Sequence, residues 1–377
     1  MSVRMTPIDT AQLALDTIHQ RTTSGIPSWL IHVMDHGHIE RLAGCSPGDY
    51  RRDPHATYLA FQQRVGTCLL DQWIPDNPLT MGPDGYEGAR RATTGIDRVM
   101  IDGIHIDSPE AVVEHLECVV FPALRQQALQ FDEVARCQQV IDDDQRIQAL
   151  LGPQILKSGH GCVRFPTLAY GAYGYEAYFS AYALYPEVME QHFRLQADVA
   201  LCNNRAVAQA ITEGGLPPLV RLDHDMADSR GALVREESLD RLWLPYFAQV
   251  IEPLVTRGVR LLWHCDGNLM AMVPRLLEAG IAGFQGFQYE DGMDYPRICA
   301  MKSRTGEDLI IIAGVSVTTT LPFGTPVDVR DQIRWLVDMG PRRGLLLGGS
   351  STIAPGTPFE NIQTLVEGFA HYRNRTT

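Results

Sequence analysis

No uninterrupted apolar stretch in these 377 residues approaches the roughly 18 that a membrane-spanning helix requires. The amino terminus, Met1-Ser2-Val3-Arg4-Met5-Thr6-Pro7, lacks the apolar centre of a secretory signal, so a cytoplasmic location is expected. Cys-x-x-Cys pairs are missing as well. The eight cysteines, at 45, 68, 118, 137, 162, 202, 265 and 299, are scattered, which argues against a disulfide scaffold and for reduced thiols. Basic charge is short: 32 Lys and Arg against 45 Asp and Glu leave −13, which works against a nucleic-acid backbone or an anionic membrane as partner. Nor is there an internal repeat, a low-complexity tract or a Ser/Gly linker that would divide the chain.

What is present is a regular alternation. Short apolar runs at 28–33, 67–74, 153–157, 219–223, 259–264, 283–287, 309–313 and 344–347 predict eight strands. Longer amphipathic segments separate them, such as Leu239, Leu242, Tyr246, Val250 and Leu254, whose spacing of three and four makes one apolar stripe. Helix starts are marked at Thr325-Pro326, with Gly340 as terminator, and at Thr357-Pro358-Phe359-Glu360, where Thr357 and Glu360 have capping-box spacing. Strand–helix alternation implies a parallel sheet, and eight such strands favour a closed (β/α)8 TIM barrel. The chain exceeds the typical barrel of about 250 residues, which leaves room for inserted helical segments. A single domain over 1–377 is expected, with a helical amino-terminal segment at 1–25 and an insertion at about 75–151. Within it, alternation around Asp102-Gly103 predicts a hairpin, and 109–151 predicts helix.

In a parallel barrel, chemistry gathers at the carboxyl ends of strands. There the sequence places Asp223-His224-Asp225, His264-Cys265-Asp266, Gln288-Tyr289-Glu290 and Gly348-Gly349-Ser350-Ser351. Alternation puts His264 and Asp266 on one face, able to clasp a metal ion or share a proton, and leaves Cys265 to pack on the other. His264, Asp266 and Glu290 together would offer nitrogen and oxygen donors to a divalent cation such as zinc. Asp223 and Asp225 also share a face, and paired carboxylates raise one another's proton affinity, which suits acid–base catalysis. Arg230 is the candidate to neutralise them. Backbone N–H groups of the Gly-Gly-Ser-Ser segment, with Ser351, would suit an anion. Tyr173 and Tyr175, in a Tyr-rich segment from 170 to 185, are candidates to wall a substrate pocket.

Three segments carry a family resemblance: Trp263-His264-Cys265-Asp266-Gly267-Asn268, Leu276-Leu277-Glu278-Ala279-Gly280, and Ile353-Ala354-Pro355-Gly356-Thr357-Pro358-Phe359-Glu360-Asn361. From about Ile26 onward the chain resembles the uroporphyrinogen decarboxylase superfamily, which includes decarboxylases and cobalamin-linked methyltransferases. The resemblance implies a (β/α)8 barrel that self-associates, for instance as a homodimer. The decarboxylases' Arg-x-x-Gly-Arg segment has no counterpart after Pro27-Ser28-Trp29, and Ser351 stands where their histidine falls. That removes the cationic clamp a multiply acidic tetrapyrrole requires. The methyltransferases' His-x-Cys zinc pair becomes His264-x-Asp266, and Ser351 replaces their later cysteine. The resemblance therefore implies a methyltransferase with an oxygen-rich metal shell, acting on a small molecule and on cobalamin held by a separate corrinoid protein. A decarboxylase-like lyase acting on a carboxylated substrate, and a noncatalytic barrel binding a tetrapyrrole or metal, are the other readings.

Overall fold

In the computed structural model, residues 9–82, 85–86 and 99–374 are described. Six strands form one curled parallel sheet in the order Leu345–Gly349, Ile310–Val315, Gly283–Gln285, Arg260–His264, Leu219–Asp223 and Gly159–His160. Four of the six, Leu345–Gly349, Ile310–Val315, Arg260–His264 and Leu219–Asp223, are rich in Leu, Ile or Val, as suits strands buried on both faces. Beyond the last of these, Leu156–Lys157 pairs in parallel with Leu69–Leu70, and only Ser158 separates it from Gly159–His160. Single parallel bridges then join Trp29 to Leu69 and Ser28 to Leu347. Parallel backbone pairing thus runs round a ring and returns to the first strand of the sheet.

The first predicted strand is therefore only a set of bridges at Ser28, Trp29 and Val33, and the second and third shrink to two residues each. Gly159–His160 was not expected, because it has no apolar run. It sits where a Cβ on Gly159 would lie 2.7 Å from the Val220 side chain, a contact that only glycine allows. Gly348 and Gly349, expected beyond the end of the final strand, extend it instead, and the Ser350 N–H bonds to the Val315 carbonyl at 3.0 Å. That donor is spent on the ladder and is not open to an anion.

Helices cover the outside of the sheet. The longest, Pro186–Glu213, buries Val188, Met189, His192, Phe193 and Ala200 along one side and packs on Glu133–Leu151 and Leu244–Val255. The predicted helix over 239–254 breaks at Trp243 into Glu236–Leu242 and Leu244–Val255, with Pro245 at the start of the second. The hairpin is present as Val99–Ile101 against Ile104–Ile106, turned by positive φ at Asp102 and Gly103; residues 97 and 98 lie outside the described residues. Helices follow at Pro109–His115, Phe121–Leu129 and Glu133–Leu151. At the amino end the described helix is Thr10–Ile18. Among the described residues no helix is long and apolar enough to cross a membrane, and all eight cysteines are free thiols.

Candidate active site at the carboxyl ends of the strands

Strand register assembles the site. Asp223 lies directly beside His264, and His264 beside Gln285, so three polar residues share one level and one face of the sheet. Just beyond the strand end, Asp225 turns back towards them. Ligand atoms of Asp223, Asp225 and His264 all lie within 4.8 Å of one another. Asp266 borders the group, its Oδ1 3.8 Å from His264 Nε2 and its backbone N–H donating to Asp225 Oδ1 at 2.9 Å.

The histidine is held in one tautomer. His264 Nδ1 lies 3.2 Å from the Gln285 carbonyl oxygen, and a carbonyl only accepts. Nδ1 therefore carries a proton, and Nε2 is turned to the carboxylate side, the orientation usual for a metal-binding imidazole. Gly286 makes the seat possible: its φ is +75°, and a Cβ there would lie 2.6 Å from Nδ1 and 2.7 Å from the Ser350 carbonyl oxygen. Gln285 closes the floor by donating from Nε2 to that same carbonyl at 3.2 Å.

Negative charge exceeds positive charge here. Arg221 bridges Asp71, at 2.6 Å, and Asp223, at 3.0 Å, and Trp29 Nε1 donates to the other oxygen of Asp71 at 3.0 Å. Burial alone would push the Asp71 carboxyl up, but Arg221, with His160 and Lys157, outweighs it and holds the group below its ordinary range. Asp266 goes the other way: burial raises it, Asp225 and Asp223 add to the rise, and His264 opposes them. One guanidinium thus serves Asp71 and Asp223 while Asp225 and Asp266 have none, a field that favours a cation. The donors are imidazole nitrogen and carboxylate oxygen, which suit zinc or a harder divalent ion. Cys265 is not among them. Burial first, and then the nearby carboxylates, push its thiol up to about 12, and it accepts from Met226 N–H at 3.3 Å and donates to the Asp266 carbonyl at 3.0 Å.

Several expected residues lie elsewhere. Glu290, on the exposed turn Tyr289–Asp291, accepts from Ser316 Oγ at 2.9 Å and from Thr318 Oγ1, and is not in the ligand group. Of the expected metal set His264, Asp266 and Glu290, only His264 belongs to the group that could hold an ion, where it is joined by Asp223 and Asp225. Arg230 is 89% exposed and pairs with Asp228 at 2.7 Å across a small hairpin, and it is Arg221 that pairs with Asp223. Tyr173 is buried with its hydroxyl 2.8 Å from His115 Nδ1 and does not line the cavity beside Asp223. Tyr175 packs against Tyr170 with ring centroids 4.8 Å apart and the rings tilted by 43°. Tyr170 is the tyrosine that reaches the site, donating to the Asp225 carbonyl at 2.9 Å and stacking on His224. Ser351 is half-buried next to Ser350, whose Oγ accepts from Val317 N–H at 3.1 Å.

A cavity of about 360 Å³ adjoins Asp223 and is lined by Gln127, His160, Arg164, Phe165 and Arg221 among others. A second, of about 440 Å³, shares His160 and Gly161 with it and includes Asp71 and Lys157. Sequence reading missed Arg221 and Asp71. The signal was a charged residue inside the apolar run of 219–222, two positions before Asp223 and hence on the same face.

With the geometry in view, the chain can be compared with known proteins. Its fold is similar to that of a methyltransferase from Methanosarcina mazei, at 14% identity and a TM-score of 0.57, over 97% of this chain and 99% of that one. It also aligns with a provisionally named vitamin-B12-independent methionine synthase from Listeria monocytogenes, at 12% identity and a TM-score of 0.43, over 92% and 95% of the two chains. No curated protein matches. The pattern of the family described as uroporphyrinogen decarboxylase (URO-D) matches residues 168–372, a segment that contains Asp223, Asp225, His264 and Asp266. Matched over more than half of its length, the chain belongs to the uroporphyrinogen decarboxylase (URO-D) family.

Proposed function

We propose that this protein is a metal-dependent methyltransferase that moves a methyl group between a small substrate and a cobalamin carried by a separate corrinoid protein. The observation that carries the reading is the convergence of Asp223, Asp225 and His264 within 4.8 Å at the strand ends. Three protein donors leave further positions open, as a catalytic divalent site requires. The fold shared with a protein named as a methyltransferase supports the reading, as does family membership.

A divalent ion, when bound, supplies Lewis acidity to a substrate heteroatom. The chain's own residues do the rest. His264 presents Nε2, fixed by the Gln285 carbonyl. Arg221 orients Asp223, and the Asp266 N–H orients Asp225. Asp266, whose carboxyl is raised by burial and by its acidic neighbours, is placed to hand a proton to the heteroatom from which the methyl group departs.

The test pairs metal analysis with turnover. Protein purified without added metal should carry a stoichiometric divalent ion and methylate cob(I)alamin from a panel of methyl ethers and amines, followed by visible absorption. His264→Ala should lose the ion, and its activity should fall by more than the roughly 10–100-fold that loss of a merely supporting group produces. Undiminished turnover in that variant removes the reading. Carbon dioxide released from a carboxylated substrate without corrinoid assigns the lyase instead.

A further inference from the structure

We infer that the substrate is a small carboxylate-bearing molecule, anchored by Arg164 and His160 in the 360 Å³ cavity with its other end at Asp223. This deepens the methyl-transfer reading by naming the substrate class, and it rests on that reading only for which end reacts.

Arg164 is the first ground. In a chain with 13 more acidic than basic residues, its guanidinium has no carboxylate partner among the described residues. Its backbone is fixed from both sides: Asn204 Oδ1 accepts its N–H at 2.9 Å and Asn204 Nδ2 donates to its carbonyl at 2.7 Å. Asn204 is itself fully buried and tied to Val250 at 2.8 Å. The backbone position is thus built into the fold, while the exposed side chain at the cavity wall carries its charge unpaired. Arg136 lies close enough to oppose that charge, and its own donors go to Asn203, Gln139 and Cys162. Two neighbouring guanidiniums without a carboxylate between them are a standing vacancy for an anion.

The second ground is His160. Gln72 Nε2 donates to its Nε2 at 2.8 Å, which leaves the proton on Nδ1. Nδ1 is buried and makes no well-formed hydrogen bond, with only the Arg221 backbone near enough to act on it, so its donor is incompletely satisfied. Asp223 is the one carboxylate lining the cavity, and it is already paired with Arg221. Phe165, Leu222 and Val163 supply apolar wall. The volume sits near the lower end of the roughly 300–1,000 Å³ usual for small-molecule sites, which fits one compact acid.

Titration calorimetry on the full chain without added metal provides the test. The probes are methoxyacetate and 4-methoxybenzoate, with the neutral 2-methoxyethanol and 4-methoxybenzyl alcohol as their counterparts. The carboxylates should bind saturably and at least about tenfold more tightly than the alcohols. Arg164→Gln should abolish that advantage, Arg164→Lys should restore part of it, and Arg230→Gln, on the exposed hairpin, should leave it intact. Equal affinity for acid and alcohol, an unchanged advantage in Arg164→Gln, or no saturable carboxylate binding overturns the inference. Failure of the metal reading would appear instead in metal content and in the turnover of His264→Ala, neither of which enters the titration.

Discussion

Asp71 and Arg221 bury opposite charges at 3% and 4% side-chain exposure, and a charge so placed depends on its partner. Asp71→Asn keeps the acceptor for Trp29 but leaves Arg221 with only the partly exposed Asp223 as countercharge. The expected result is a loss of about 3–5 kcal/mol, read from the urea midpoint at neutral pH. The sign with pH follows from the lowered carboxyl. Its contribution is complete above the unfolded pKa and fades as pH falls through the folded one, so the gap between wild type and variant should narrow in acid. Asp223 and Asp225 could be singled out from alternation alone, since residues two apart share a face. Asp71 could not, because it meets Arg221 across 150 positions, and no local pattern encodes a contact of that separation. Glu290 shows the converse. It stands after a strand, as expected, but the turn at Tyr289–Asp291 carries it to hydroxyls on the next connection.

Two helix starts with the same apparent signature behave differently. Thr325 is extended, accepts from the Asp328 N–H, and is answered by the Asp328 side chain in a full capping box. Thr357 instead turns its hydroxyl to the Ala354 carbonyl at 2.9 Å, and Pro358 becomes the cap of Phe359–Arg373 without a side-chain bond. Thr325→Ala should therefore lower stability by about 1 kcal/mol, measured by equilibrium denaturation. The cap is intrinsic to four consecutive residues, whereas Thr357 is claimed by the loop that precedes it. Strands divide the same way. Leu219–Asp223 and Arg260–His264 follow from their apolar runs, while Gly159–His160 is a strand only because Val220 and Arg221 lie beside it.

Across the whole molecule, buried histidines set the response to acid. Burial lowers both His32 and His192 from 6.5 to about 4, with Asp71 partly opposing the shift at His32. Between those two values the unfolded chain binds protons that the folded chain refuses. Stability should thus fall as pH drops from 6.5 to about 4 and lose this slope below that. Denaturant midpoints across the range, with imidazole titration by NMR, check it; imidazoles titrating near 6.5 in the folded state would contradict it.

The order of apolar runs, the turn at Asp102-Gly103 and the excess of acid belong to the linear chain, because periodicity, positive φ and charge are local properties. Those were enough to indicate a parallel α/β architecture and to bring out Asp223, Asp225 and His264. Which groups meet depended on strand register and on ring closure, both long-range. Register set Asp223 beside His264, and the packing of separate strands gave Arg221 to Asp71 and the Gln285 carbonyl to the imidazole. Partnership of that kind is a property of the folded surface, where neighbours are chosen by space rather than by sequence.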